Sequence, residues 1–278
     1  MDVGKNTSEE GEEFKMKFEV LNKSQDELDF VIDGIDASMA NTLRRIMFAE
    51  IPIMAVKEVD FKKNNSALYD EILAHRIGLI PLTTDLKSYN LPNDCKCEGE
   101  GCALCQVHLS FSSDKSSDKG PRMVYAKDLK SDDPKVVPAI GDLPLVELIK
   151  DQKLEFTATA VLGFGKDHVK HSAGHVHYKG YPEFNVTGQS KIKEVMKLCG
   201  DVLKESGKGL EITDFKKWND AHEQFCEEHG VNITYSDTKF IFFIESWGQL
   251  KPEAIFLKAL DIFDKKLSTF EKVFSKAK

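Results

Sequence analysis

At 278 residues, the chain is long enough for two or three modest domains rather than one cooperative core. Its hydrophobic content of 41% is that of a globular protein, and no run approaches the roughly 18 apolar residues that a membrane span requires. The net charge of −8 argues against autonomous nucleic-acid binding, because phosphate contacts require a basic surface. The acidic segment 1–12 has no apolar signal core, so we expect a flexible leader on a cytoplasmic chain.

Two stretches near the N-terminus predict a hairpin, and a helix follows them. Phe14 to Leu21 and Leu28 to Ile32 alternate apolar and polar residues around a polar turn, as antiparallel strands do. Asp36 stands at an N-cap position, and Ile51-Pro52 ends the predicted helix because the residue before a proline avoids helical backbone. Residues 53–61 alternate again and predict a strand.

The predicted helix has two different faces. Its apolar stripe consists of Met39, Leu43, Ile46 and Met47. The other face carries Asn41, Arg44 and Arg45. An apolar stripe beside a pair of arginines is typical of an element that docks against other parts of an assembly, and not of a reaction centre.

Four of the six cysteines lie within eleven residues, as Cys95, Cys97, Cys102 and Cys105. Four thiolates so close in sequence can enclose one tetrahedral Zn²⁺, and the glycines between the two pairs allow the chain to reverse. An iron–sulfur cluster is the main alternative, although the spacing lacks the C-x2-C-x2-C run of ferredoxins. Four reduced cysteines without a metal are a further alternative.

The segment after the four cysteines predicts a small β-rich domain. His108 to Phe111 and Lys153 to Leu162 alternate as strands, Leu145 to Ile149 predicts a short helical turn, and glycines and prolines separate these segments. The stretch that follows contains four histidines, His168, His171, His175 and His177. A zinc-dependent hydrolase built on these histidines is an alternative function, but neither an acidic ligand nor an H-E-x-x-H pattern accompanies them.

Residues 181–235 have a different composition. Ile192 to Leu203 and Phe215 to His229 predict two amphipathic helices on either side of a glycine-bearing turn. Cys199 and Cys226 are the only cysteines here, and an iron–sulfur cluster ordinarily requires four thiolates. We therefore expect no cluster, although an iron–sulfur redox adaptor is the second alternative function.

The C-terminal segment predicts a long helix that begins near Pro252. Apolar residues recur along it at spacings of 4-3-4-3-4, which is a heptad seam of about 2.5 repeats. The seam consists of Phe256, Leu260, Phe263, Leu267, Phe270 and Phe274. One small domain can hardly cover both this seam and its apolar flank, so we expect a partner's helix to cover the rest.

Four blocks of sequence resemble, in the same order, the alpha-type subunits of multisubunit RNA polymerases. They read TLRRIMFAEIPIMAVKEV, DEILAHRIGLIPL, GFGKDHVKHSAGHVHY and FIESWGQLKPEAIFLKAL. Within that group the chain is similar to the D subunits of archaeal DNA-directed RNA polymerases, the counterparts of the eukaryotic third-largest subunit. The resemblance covers nearly the whole chain, and the lobe after residue 180 favours an archaeal source.

The resemblance implies an α+β fold with a discontinuous alpha-subunit-type dimerisation domain, formed by residues 1–60 and 236–278. A β-rich domain with the four-cysteine zinc loop (61–180) and a degenerate ferredoxin-like lobe (181–235) would be inserted into it. The implied cofactor is one structural Zn²⁺ on Cys95, Cys97, Cys102 and Cys105, without an iron–sulfur cluster.

The implied function is assembly for transcription, without catalysis by this chain. The opening and closing helices would form a dimer face for a small L-type subunit, and the heterodimer would nucleate binding of the large catalytic subunits and a small N-type subunit. The candidate contacts with the large subunits are Asn41, Arg44, Arg45, Arg76, His168 and Lys170. The chain has no D-x-D-x-D triad to hold Mg²⁺, so we expect the active site in its partners.

Overall fold

The computed structural model describes residues 16–113, 120–186, 189–207 and 209–276. These residues form an α+β structure; the predicted leader, residues 1–12, lies outside them. The strands are Lys17–Lys23 (β1), Glu27–Asp33 (β2), Pro52–Asn64 (β3), Gln106–Ser112 (β4), Arg122–Tyr125 (β5), Lys130–Ser131 (β6), Pro144–Leu148 (β7), Leu154–Phe164 (β8), Gly174–Val186 (β9), Leu203–Ser206 (β10), Gly209–Ile212 (β11) and Val231–Ser246 (β12). The α-helices are Ala37–Ala49 (α1), Asp70–Gly78 (α2), Gln189–Cys199 (α3), Asp220–Glu228 (α4) and Pro252–Lys276 (α5).

The strands form two four-stranded sheets and two ribbons. The first sheet has the order β1-β2-β12-β9 and the second the order β3-β8-β4-β6, while β5 pairs with β7 and β10 with β11. In the second sheet, β3 runs antiparallel to β8 from the Pro52–Phe164 pair to the Asn64–Leu154 pair. Strand β4 lies on the other side of β8, so β8 is central and alternates buried and half-buried residues along its length.

By backbone contacts the described chain divides into two compact units. One comprises 16–19, 30–40 and 178–242, and the other comprises 20–29, 41–177 and 243–276. The larger unit has a core of residues such as Met54, Leu73 and Phe156. In the smaller unit, Cys199, Trp218 and Cys226 belong to a separate buried cluster. The division of the chain into three domains at residues 61, 181 and 236 stays a prediction.

Most of the predicted elements are present, and three predictions are corrected. The helix predicted from Ile192 to Leu203 runs from Gln189 to Cys199, and Leu203 instead begins strand β10, which pairs with β11. Leu145 to Ile149, predicted as a helical turn, is largely strand β7. Its backbone pairs with antiparallel β5, in which Arg122 lies opposite Leu148. The helix predicted from Phe215 begins only at Asp220, where the side chain of Asn219 accepts hydrogen bonds from the N–H groups of Ala221 (3.0 Å) and His222 (3.3 Å). An N-cap of this kind fixes where a helix starts. Within the described ranges, no helix is both long and apolar enough to cross a membrane.

Candidate metal centre and partner-binding surfaces

The four clustered cysteines come together in one loop between α2 and β4. Cys95 follows directly after a short 3-10 turn, Pro92–Asp94, and β4 begins directly after Cys105. Gly99 and Gly101 have φ values of 88° and 98°, a region in which glycine is favoured, and they turn the chain back between the two cysteine pairs. The backbone N–H groups of Glu98 and Glu100 close two further turns on the carbonyls of the first two cysteines.

The sulfur atoms have the spacing of a four-coordinate site. All four lie within 4.8 Å of one another, and the Sγ–Sγ distances are 3.5 Å for Cys95–Cys102, 3.5 Å for Cys97–Cys105 and 3.9 Å for Cys102–Cys105. A tetrahedral zinc ion with Zn–S bonds of about 2.3 Å would separate its sulfurs by about 3.8 Å. The geometry therefore fits a metal ion, and the separations are far longer than the S–S bond of a disulfide.

The surroundings of the sulfurs also favour metal binding. The backbone N–H of Gly101 lowers the pKa of the Cys97 thiol to about 6, which favours the thiolate that coordinates metal. Burial raises the pKa of Cys105 to about 12, so this sulfur would depend on the charge of a bound cation to stay a thiolate. The backbone N–H of Cys102 donates to the Cys105 sulfur at 3.3 Å. These four sulfurs could therefore hold a metal ion.

The histidine-rich stretch does not form a comparable site. His171 is buried, and its Nδ1 lies 2.7 Å from the carbonyl oxygen of Ile53. The rings of His175 and His177 contact each other with centroids 5.3 Å apart on strand β9. Among the described residues, the cysteine cluster is the only group of three or more potential ligands close enough to hold a metal ion.

Gly163 and Gly165, which open the block GFGKDHVKHSAGHVHY, serve packing. A Cβ atom on Gly165 would lie 2.5 Å from the carbonyl oxygen of Phe48, at the end of α1. A Cβ atom on Gly163 would lie 2.6 Å from Nε2 of His171. Both contacts are closer than real Cβ atoms allow, so this stretch requires glycine for a close approach of backbone and ring.

The predicted seam of α5 is largely exposed. The exposed fractions are 37% for Leu260, 52% for Leu267, 69% for Phe270 and 54% for Phe274, while Phe256 and Phe263 are half-buried. The adjacent residues Ile255 and Ala259 are fully buried in the chain itself. Helix α5 thus uses one edge of its apolar stripe for its own core and leaves the seam on the surface.

The apolar stripe of α1 has a different environment from the one expected. Leu43, Ile46 and Met47 have exposed fractions of only 2%, 1% and 0%, and Met39 alone is half-buried. Three of the four side chains predicted for the dimer face on this helix therefore lie in the interior of the chain. The periodicity marks an apolar stripe correctly, but it does not distinguish a face covered by the same chain from one covered by a partner.

The six candidate contacts for large subunits lie on several elements. On α1, the Asn41 side-chain oxygen accepts from Arg44 Nε (3.2 Å) and Nη2 (2.9 Å), and Arg45 is exposed. Arg76 Nη2 on α2 donates to the carbonyl of Pro144 at 2.7 Å. In the loop after β8, His168 Nδ1 accepts from the backbone N–H of Lys170, whose Nζ donates to the Val56 carbonyl at 2.9 Å.

Sequence reasoning missed a cavity beside Lys170. It is formed by short stretches around Leu79, Ile140, Val169 and Trp247. These stretches are distant in sequence, so no local pattern could have indicated their convergence.

Comparisons with known proteins agree with these features. Residues 29–267 match the family described as the RNA polymerase Rpb3/Rpb11 dimerisation domain. The chain is 34% identical over 259 residues to DNA-directed RNA polymerase subunit Rpo3 of Methanosphaera stadtmanae, covering 90% of this chain and 96% of that one. It is 36% identical over 262 residues to Rpo3 of Thermococcus kodakarensis, covering 92% and 96%. Rpo3 of Pyrobaculum aerophilum is 33% identical over 93% of this chain and 96% of its own. The chain therefore belongs to the RNA polymerase Rpb3/Rpb11 dimerisation-domain family.

Proposed function

We propose that the chain is a D-type platform subunit that pairs with a small L-type subunit through the exposed seam of α5. The chain is an assembly subunit of a DNA-directed RNA polymerase and acts in transcription. The heterodimer then binds the two large catalytic subunits and a small N-type subunit, in the cytoplasm. The observation that carries this proposal is the exposure of Leu260, Leu267, Phe270 and Phe274 along one line of a 25-residue helix.

The energetics of the seam support a partner helix. Burying a large apolar side chain that water now reaches contributes about 1.5–3 kcal/mol for full burial, and less for side chains that are already half covered. Contiguous apolar surface of this kind is uncommon on monomers and marks interaction sites. The heptad spacing suits a second helix, whose side chains would interdigitate with the seam. Lys266 forms an ion pair with Glu50 at 2.5 Å, which helps to hold α5 against the end of α1 while the seam stays accessible.

The chain does not supply the catalytic centre under this proposal. Nucleotidyl transfer needs carboxylates that hold Mg²⁺. The one group of three or more potential ligands that the described residues bring together is the set of four cysteines, a donor set that suits zinc rather than Mg²⁺. Catalysis would then belong to the large subunits.

The metal at Cys95, Cys97, Cys102 and Cys105 is proposed to be one structural Zn²⁺. The four-sulfur donor set and its separations suit zinc and leave no open position for substrate. The ion would cross-link a loop that is too short to form a hydrophobic core of its own. It would thereby hold the surface around residues 91–106 in one conformation.

The proposal is tested by pairing with a purified small subunit of the L type. We expect the double variant Leu267→Asp/Phe270→Asp to lower the affinity for the small subunit at least thirtyfold, because two carboxylates would enter an apolar interface. Thr269→Asp is the control, since Thr269 is exposed on the same helix but does not belong to the heptad seam. Equal affinity of the double variant and the control, measured by isothermal calorimetry, would refute the seam as the pairing surface.

A further inference from the structure

The cavity beside Lys170 has an apolar rim that is unusually exposed. Its volume is about 320 Å³, and its rim includes Leu79, Ile140 and Val169, with exposed fractions of 46%, 46% and 50%. Trp247 and Gln249 also line it. Large apolar side chains exposed around one concavity mark binding sites more often than scattered ones do. The volume is at the lower end of ligand pockets, about 300–1,000 Å³, which suits one or two side chains.

A positive charge without a counter-ion lies at the side of this cavity. Lys170 is half-buried, and its Nζ donates to the carbonyl of Val56 at 2.9 Å. No carboxylate pairs with it among the described residues, and the charge that acts on it most strongly is that of another cation, Lys57. Burial therefore lowers the pKa of Lys170, and Lys57 lowers it further. A partly buried ammonium is usually paired, so the site lacks a negative charge.

A second polar group at the cavity is also incompletely satisfied. Gln249 is almost fully buried, and its Nε2 donates to the carbonyl of Ser172 at 3.2 Å. Its Oε1 has no hydrogen-bond donor within the described residues. Buried acceptors without a donor are rare in native structures, and one that lines a cavity points to a ligand group that approaches there.

We propose that this cavity is a docking site for a segment of a partner polypeptide, which inserts a large apolar side chain and pairs an adjacent Asp or Glu with Lys170. The apolar rim calls for a large apolar side chain, and the uncompensated ammonium of Lys170 calls for a carboxylate. A purely apolar occupant would bury the ammonium further without pairing it, which is unfavourable. This inference rests on the proposed function, because the partner would be one of the large catalytic subunits.

The first test is a photo-cross-link in the polymerase reconstituted from its separate subunits. Benzoylphenylalanine at Ile140, an exposed rim position, is expected to cross-link to a large subunit at a segment with an apolar residue next to Asp or Glu. Mass spectrometry of the cross-linked peptide identifies that segment. Cross-links only to the small subunit, or none in a fully assembled polymerase, would overturn the inference.

The second test separates charge from packing. Lys170→Glu and Ile140→Asp are each expected to weaken binding of the large subunits to the heterodimer about tenfold or more, whereas Lys170→Arg, which keeps the charge, stays within threefold of wild type. Lys166→Glu is the control, because Lys166 is an exposed lysine of the same loop that does not line the cavity. Replacing the Asp or Glu of the cross-linked partner segment by lysine should restore binding of that subunit to the Lys170→Glu variant.

The outcomes distinguish this inference from the proposed function. Normal binding of the large subunits by both Lys170→Glu and Ile140→Asp overturns the docking site and leaves the platform function intact. Failure of the wild-type chain to pair with the small subunit refutes the platform function itself, and the proposed partner of the cavity falls with it. Thermal melting of each variant shows that it is folded before binding is compared.

Discussion

Leu43 in α1 and Leu267 in α5 are the same residue type in opposite environments. Leu43 is 2% exposed and belongs to the core, whereas Leu267 is 52% exposed. Replacing a buried leucine by alanine removes apolar contacts and leaves a cavity, which costs about 2–5 kcal/mol. The same change at an exposed helix position usually stays within about 0.5 kcal/mol. We therefore expect Leu43→Ala to lower the free energy of unfolding of the isolated chain by about 2–5 kcal/mol, and Leu267→Ala to leave it nearly unchanged.

Urea titrations of both variants, followed by circular dichroism, measure this difference. A similar loss from both substitutions would mean that the seam packs within the chain, and the reasoning about a partner helix would fail. A loss below about 0.5 kcal/mol for Leu43→Ala would mean that the α1 stripe is not core. Affinity for the small subunit should show the effect of Leu267→Ala that stability does not. We expect this substitution to weaken pairing about three- to tenfold, because the interface loses apolar area.

Two further predictions concern the loop and its neighbours. Cys102→Ser should lower the zinc content from one ion per chain towards zero and weaken binding of the large subunits, while pairing with the small subunit persists. Metal analysis and co-purification measure these effects, and Cys199→Ala is the control that should keep its zinc. Equal loss of binding to the large and the small subunits would contradict the prediction. Asp133→Asn should lower the urea midpoint at pH 7, because the carboxylate accepts a 2.6 Å hydrogen bond from the buried Tyr89 hydroxyl. That hydrogen bond is the largest cause that holds the pKa of Asp133 below its usual value. The hydrogen bond therefore stabilises the folded chain fully above the unfolded-state pKa of about 3.9, and this stabilisation is lost as the pH falls from there through the lower folded-state pKa. The midpoints of variant and wild type should converge below about pH 4, and a constant difference from pH 7 to pH 3 would contradict this cause.

Features encoded within a few residues were predictable from the sequence. The four cysteines meet because two glycines with positive φ reverse one short loop, and their spacing is visible in the sequence. The seam of α5 follows from helical periodicity alone. The hairpin, the opening helix and the strand after it depend on local alternation and on Pro52, and each is present.

Features that depend on distant contacts were not predictable. Leu145 to Leu148 is a strand only because β5 pairs with it, and this apolar run has no distinctive period of its own. The stripe of α1 is covered by the chain itself, which periodicity does not reveal. The cavity beside Lys170 joins residues from Leu79 to Gln249, so neither its rim nor its unpaired ammonium leaves a signal in any one segment.

Assembly of a polymerase on this chain can be measured in the cell. The most direct measurement is to tag the chain at its N-terminus in the cell from which it comes and to identify the co-purifying proteins by mass spectrometry. We expect two very large subunits and a small L-type subunit in stoichiometric amounts, all lost together in the Leu267→Asp/Phe270→Asp variant but not in Thr269→Asp. A chain that purifies alone, with its seam intact, would contradict the platform role.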